Sequence, residues 1–406
     1  MVNTGNTGWM LRRLMQDAHT VALEQLPGLV AGHAATVGLY DVAVFAVDLR
    51  ETLLRQITGH GLDAGAGGER IRIDGTLPGR AYQRVVLVAE PQRVTRTRRR
   101  WWVPVTDGVE RIGILRADSE DGDEKAVRRD LRDLASMVAL LLLSKRPSSD
   151  SYARLVRTEA MNVAAEMQWK LLPQPAFAGR DVTVGAVSEP AYEMGGDAFD
   201  YAVSDSTLHL AVLDAMGHDT TAGITANVAV AACRNARRQG ATLAETSRAV
   251  EDVLVAHFGT SRYITGILAD LDLDTGRLTW INRGHHLPLV IRGNRWTTEL
   301  ACPPAGPMGA DLGLPIVVSQ HQLEPGDRLL LYTDGVVDAR DAGGRRFGRD
   351  RFVDFVVRHH SDRQTLHETL RRLMHAVLDH HRGGLDDDAT VLLVEWRAGD
   401  QQRLVP

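Results

Sequence analysis

Val212-Leu213-Asp214-Ala215-Met216-Gly217-His218 is the stretch that decides how the C-terminal half of this chain is read. It closes the run Leu208-His209-Leu210-Ala211-Val212-Leu213, which has the composition of a buried strand. Glycine three positions after the aspartate lets the backbone turn sharply, so the carboxylate points out of the sheet end. The pattern recurs where Asp327-Arg328-Leu329-Leu330-Leu331-Tyr332 delivers Thr333-Asp334-Gly335. In Asp386-Asp387-Asp388-Ala389-Thr390 the order is reversed, an acidic loop entering a strand that runs to Trp396. Asp197 sits in Gly195-Gly196-Asp197-Ala198-Phe199-Asp200.

Each of these aspartates alone reads as a turn or cap residue. Together, beside strand ends, they read as a cluster. Clustered carboxylates repel, and a fold tolerates them when a hard divalent cation neutralises them. Oxygen-only ligation points to Mg²⁺ or Mn²⁺ rather than zinc. Such ions activate water for in-line attack on phosphorus, so the pattern reads as a metal-dependent hydrolase.

Outward from these motifs, the region from about Val182 to Trp396 is rich in strands joined by tight turns. Tyr263 to Asp270 and Leu278 to Asn282 flank Asp274-Thr275-Gly276 as a hairpin, and Leu287 to Ile291 turns at Gly293-Asn294. Helices are expected at Thr220 to Arg238 and Phe352 to His380, covering antiparallel sheets in an α+β architecture.

The N-terminal half has its own succession. A helix around Met10 to Met15 leads to a strand at Val42 to Asp48, then strand-like runs at Gln83 to Val88 and Trp101 to Val105. Asp107-Gly108 turns the chain into Arg111 to Ala117, and a helix closes the unit through Leu131, Leu134, Val138 and Leu141. Ser144-Lys145-Arg146-Pro147-Ser148-Ser149-Asp150 marks a boundary. Beyond it, Tyr152, Val156, Ala160, Val163, Met167 and Leu171 form one apolar stripe, predicting a connecting helix that packs on its own domain or pairs with a second copy. The expected division is 9–143, a linker and signalling helix over 144–173, and a catalytic domain over 174–397.

At 406 residues the chain can hold two or three cores, and its net charge of −5 gives no support to general nucleic-acid binding. The basic stretch Arg96 to Trp102 is accordingly read as a solvated loop entering a strand. Cys233 and Cys302 show no metal or redox spacing. The longest apolar run, Met137 to Leu143, is too short to cross a bilayer, and the N-terminus lacks the pattern of a signal peptide, so a cytoplasmic location is expected.

Two resemblances follow. Tyr40 to Leu143 resembles a GAF sensor domain, through its aspartate-ended strand, Gly75 to Ala81, and the hairpin from Val103-Pro104-Val105 to Ile114-Leu115. That likeness implies an antiparallel sheet with helices and a pocket beside the sheet that either binds a small molecule or only packs hydrophobically. About Leu172 to Trp396 resembles the metal-dependent protein serine/threonine phosphatases, most closely the bacterial sporulation stage II protein E branch related to protein phosphatase 2C. The five motifs that carry it stand in family order: Gly195 to Asp200, Asp214 to His218, Asn282-Arg283-Gly284-His285, Tyr332 to Val336, and Asp387 to Thr390.

This second resemblance implies an αββα sandwich, two Mn²⁺ or Mg²⁺ ions and hydrolysis of phosphoserine or phosphothreonine without a covalent intermediate. It implies that Asp214 bridges both ions and Ala215 lends its carbonyl, that Asp334 and Asp387 complete one site, and that Asp197 serves the other. Asp388 is the alternative to Asp387, and Asp200 to Asp197. The implied substrate is a phosphorylated anti-sigma-factor antagonist or similar regulatory protein. Asp219 departs from the glycine usual there, and Arg283 and His286 from the commoner alanine and proline. His218, His285 and His286 are weighed as general acids against hydrogen-bonded turn residues. A catalytically silent module and a phosphoesterase for small molecules are the rival readings.

Overall fold

The computed structural model describes residues 4–398, apart from 96, 121, 190, 194, 218, 294, 304, 362–364, 382–384 and 386. The chain divides into two compact units, Met1–Ala160 and Met161–Pro406.

In the first unit α1 (Thr4–Asp17) and α2 (Leu26–Ala35) precede β1 (Leu39–Val47), β2 (Leu53–Ile57) and β3 (Arg70–Arg72). Then come α3 (Leu77–Arg84), β4 (Val88–Arg93), β5 (Arg98–Asp107), β6 (Glu110–Glu120), α4 (Glu124–Lys145) and α5 (Asp150–Val156). The strands make one antiparallel sheet in the order β3-β2-β1-β6-β5-β4. Alternation along β1 sends Val44 and Ala46 to the face covered by Leu14, Leu134 and Val138, and Phe45 to the face covered by Ala81 and Tyr82.

Two expectations are corrected in this region. Gln83 to Val88 is not a strand: α3 starts under a Thr76 cap with proline in its first turn and ends at Arg84, and Val85 turns left-handed at φ 52°. The helix expected from Tyr152 to Leu171 is also broken, because the carbonyls that would continue it are taken elsewhere. Arg55 Nη1 donates to Leu155 and Arg157, and the Leu49 amide donates to Val156. A new helix, α6 (Val163–Leu171), starts only where Asn162 caps the Ala165 amide. No single stripe therefore joins the units. Tyr152 and Val156 are buried in the first unit, whereas Val163 and Met167 are exposed.

The second unit continues with β7 (Ala176–Ala178), β8 (Val182–Glu189), β9 (Asp197–Ser204), β10 (Thr207–Ala215), α7 (Thr220–Arg238) and α8 (Leu243–Phe258). After these come β11 (Ile264–Asp272), β12 (Arg277–Arg283), β13 (Leu289–Arg292), β14 (Trp296–Glu299), β15 (Ser319–Gln322) and β16 (Arg328–Tyr332). The chain closes with α9 (Asp334–Asp338), α10 (Arg349–Ser361), α11 (Leu366–His380) and β17 (Ala389–Trp396).

Two antiparallel sheets, β15-β12-β11-β10-β9 and β14-β13-β16-β17-β8-β7, pack face to face. Val212, Ile267 and Trp280 of one meet Val184, Leu329, Leu392 and Val394 of the other. Ala222, Ala226, Val230 and Leu254 of α7 and α8 cover the first outer face, and Phe352, Leu370 and Leu373 of α10 and α11 cover the second. The result is an αββα sandwich. The helix expected over Phe352 to His380 is two helices, because Thr365 caps α11 by accepting from the Glu368 amide. Among the described residues, no helix is long and apolar enough to cross a membrane.

Candidate metal centre

Register places the cluster. In the β9-β10-β11 ladders Asp214 lies directly opposite Asp197 on one side and Thr265 on the other. Two like charges opposed in this way destabilise a sheet unless something compensates. Asp334 is the first residue of α9, two residues past the end of β16, and Asp388 stands just before β17. Glycines permit the close approach. A Cβ on Gly335 would come within 2.0 Å of the Asp388 carbonyl, and one on Gly196 within 2.4 Å of the Ala215 carbonyl.

Hydrogen bonds then orient each carboxylate. Asp197 is buried and accepts from Thr333 Oγ1 at 2.6 Å. Thr333 Oγ1 in turn accepts from the Thr390 amide at 2.9 Å, tying β17 to the start of α9. Buried Asp388 accepts from the Gly195 and Asp197 amides at 2.7 and 3.1 Å. Exposed Asp387 accepts from the Asp388 amide at 2.9 Å.

Their ionisation records the crowding. Burial pushes Asp214 up to about 7, helped by Asp334, Asp387 and Asp388 and opposed by Thr265. Asp388 is raised to about 6 by burial, against the Asp197 and Gly195 amides, with Asp387 adding to the rise. Asp197 is raised well above the carboxylate range by burial and then by Asp214 and Asp388. The fold thus brings Asp197, Asp214, Asp334, Asp387 and Asp388 within electrostatic reach, with the Ala215 carbonyl beside Gly196.

Asp200 is not among them. It is buried against Arg234 and Arg237 of α7 at 2.7 and 2.9 Å, as an ordinary ion-paired residue. Among the described residues, no three His, Cys, Asp or Glu side chains close around a point as they would around an ion. Asp197 and Asp388 spend oxygens on Thr333 and on backbone amides instead. The donor set still fits a hard divalent cation in kind and in charge: it is all oxygen, and burial, then repulsion between the carboxylates, raises Asp214 and Asp388.

The remaining positions fall into place. Asp219 has φ −94°, so the departure from glycine costs no strain, and its Oδ1 caps α7 by accepting from the Ala222 amide at 2.8 Å. Buried Arg283 donates to the Gly306 carbonyl and Ser247 Oγ at 2.6 and 2.7 Å and pairs with Glu251, anchoring the segment after β14. His286 stacks on Tyr332 at 5.4 Å. His285 is held at about 4 by burial, with His286 adding, so near neutral pH it has no proton to give as an acid. His218 lies outside the described residues.

Gln168 went unseen in the sequence. It is fully buried on α6, and its Nε2 donates to the Gly195 and Asp197 carbonyls at 2.8 and 2.9 Å. Thr333 and Thr265 were missed as well. The one signal for Thr333 was its place before Asp334.

Residues 204–397 match the family described as stage II sporulation protein E (SpoIIE). Over those residues the second unit is similar to SpoIIE-type phosphatase domains of the protein phosphatase 2C fold. Among its relatives, phosphoserine phosphatase RsbU of Bacillus subtilis is 23% identical over 185 residues, 45% of this chain and 55% of RsbU. Phosphoserine phosphatase RsbP of the same organism is 24% identical over 183 residues, 44% of this chain and 45% of RsbP. The chain spans about half the length of these curated relatives. Of solved structures, the SiaA-PP2C domain of Pseudomonas aeruginosa is 20% identical, with a TM-score of 0.49 over 58% of this chain and 94% of that one.

Proposed function

We propose that this chain is a cytoplasmic protein serine/threonine phosphatase whose substrate is a phosphorylated regulatory protein of the anti-sigma-factor antagonist kind. The observation that carries the reading is the row Asp197-Asp214 across β9 and β10, where burial and the neighbouring carboxylates Asp334, Asp387 and Asp388 raise the buried acids. The RsbU and RsbP relatives, both phosphoserine phosphatases, supply the substrate class.

Asp214, the Ala215 carbonyl, Asp334, Asp387 and Asp197 are the residues that would hold the two ions, Asp334 and Asp387 at one and Asp197 at the other. Two Mg²⁺ or Mn²⁺ ions, when bound, supply charge neutralisation at the phosphoryl oxygens and acidify the attacking water. The chain's own contribution is placement. Asp388 fixes the loop before Asp197 through two amides, and Thr333 holds Asp197 against β17. His285, being neutral, positions rather than protonates. Phosphate release from a phosphoserine protein in Mn²⁺, compared with Asp334→Asn, tests this; equal rates would reject it. Equal turnover of free nucleotides would favour the small-molecule phosphoesterase instead.

The first unit is read as a GAF-like sensor that regulates this site. In support, it offers a cleft of about 310 Å³ lined by Arg99, Trp101, Ser119, Glu120, Glu124 and Val127, large enough for a small ligand. A receiver within the second unit is α6, since Gln168 grips the backbone on either side of Gly196. Gln168→Ala in the full chain should weaken manganese binding; unchanged affinity would remove α6 from the regulatory path.

A further inference from the structure

A dianionic phosphoryl group that approaches crowded carboxylates gains from a positive side chain beside them. Arginine suits the task, because its planar fork matches phosphoryl oxygens. In the second unit Arg234, Arg237, Arg283, Arg292 and Arg328 each hold a carboxylate within hydrogen-bond distance. Arg262 is different. The carboxylate paired with it, Asp219, is 3.7 Å away and more than half exposed, so the pair contributes little.

Arg262 stands two residues before β11, at the sheet end where Asp214 and Ala215 close β10. Ile264, the first residue of β11, lies directly opposite Ala215. The backbone here is fixed on both sides. The Met216 amide donates to the Tyr263 carbonyl at 3.2 Å, and Ile264 and Met308 exchange amide-to-carbonyl bonds at 2.8 and 2.9 Å. Gly309, at φ +90°, lies so close that a Cβ there would come within 2.7 Å of the Arg262 carbonyl oxygen.

The tip of the side chain is far less committed than its base. Nη1 donates to the Met216 carbonyl at 3.2 Å, one residue past the Ala215 carbonyl. A guanidinium has five N–H groups, and the others here make no hydrogen bond among the described residues. About a quarter of the side chain is open to solvent. The loop after β10 does not depend on this bond alone, since the Ala215 amide also donates to the Gly196 carbonyl at 3.1 Å.

We propose that Arg262 is a substrate-binding residue: its guanidinium, aimed by the Met216 carbonyl, donates to the phosphoryl oxygens of the phosphoserine. The proposal rests on the phosphatase reading of the site.

Two substitutions test it in the full chain with manganese, on a phosphoserine peptide. R262Q removes the charge but keeps an N–H for the Met216 carbonyl, and R262K keeps the charge without the fork. R262Q should raise KM about 10- to 100-fold, the usual range for a hydrogen bond to a charged group, with kcat changing far less. R262K should fall between R262Q and wild type. Inhibition by inorganic phosphate should weaken in R262Q by a similar factor. Manganese affinity, measured by calorimetry, should match wild type in both variants.

An unchanged KM in R262Q would overturn the proposal. So would a manganese affinity that falls along with substrate binding, because Arg262 would then be a brace for the loop. Should R262Q fail to fold, R262K decides: a KM equal to wild type overturns the proposal, and a raised KM with intact manganese affinity supports it. A wild-type chain that releases no phosphate in manganese would remove the phosphatase reading, and this proposal with it.

Discussion

Asp197 and Asp200 lie three residues apart on β9, are both buried, and have opposite surroundings. Asp200 faces α7, where Arg234 and Arg237 bring two guanidinium groups to one carboxylate. Asp197 faces Asp214 and Asp388, with a threonine hydroxyl as its nearest donor. A carboxylate kept for stability brings its counter-charge with it. One kept for chemistry is left short of positive charge, and the fold bears the cost.

Asparagine substitutions should therefore move activity and stability in opposite senses at the two ends. Asp214→Asn should lower phosphatase turnover by at least about a hundredfold, since ligated cations supply several kcal/mol of transition-state stabilisation. In chelator the same variant should unfold at a higher temperature than wild type, having lost a repelled charge. Asp200→Asn should leave turnover largely intact but cost about 2–4 kcal/mol, less than for a fully buried pair because both arginines keep some solvent. Urea unfolding alongside phosphate release measures both. A stable Asp200→Asn protein without activity would put Asp200 in the metal site after all.

pH sharpens the same contrast. Asp214 and Asp388 are raised from 3.8 to about 7 and about 6, so the folded apoprotein holds protons that the unfolded chain has released. Their contribution to stability is fully present below the unfolded pKa and is lost as pH rises through about 6 to 7. Without divalent cation, the protein should gain on the order of 1–3 kcal/mol as pH falls from 8 toward 5. Manganese should reverse the trend, because bound cations favour the ionised carboxylates and release those protons. Thermal unfolding across pH, with chelator and with manganese, reads both slopes. A flat apoprotein profile would mean that the carboxylates are not crowded.

Legibility in the sequence followed how local each cause was. Strand ends at Asp214 and Asp334, the turn at Gly276 and the span of α7 depend on a few neighbouring residues, and all of them stand where the pattern puts them. The connector fails for the opposite reason. Its stripe is helical in every local respect, but Arg55, about a hundred residues upstream, takes the carbonyls at Leu155 and Arg157. Gln168 and Thr333 escape notice likewise, since their partners lie 29 and 136 residues away in the chain. Asp388 could be named only as the neighbour of Asp387. Its burial against two amides belongs to the fold and leaves no mark in the motif.

Asp219 bears on the comparison least, and it separates the active enzyme from the silent module. It is exposed, its ion pair to Arg262 is loose at 3.7 Å, and its measurable work is the cap on α7. Asp219→Ala should lower the unfolding temperature and Asp219→Gly should lower it less, because glycine is tolerated at a cap position and alanine is not. Both variants should keep wild-type turnover, because the backbone at φ −94° asks nothing special of the side chain. Thermal unfolding and a phosphoserine assay on the same samples provide the check. A large gain in activity for Asp219→Gly would show that this aspartate restrains the neighbouring centre, and would give the silent-module reading its first physical footing.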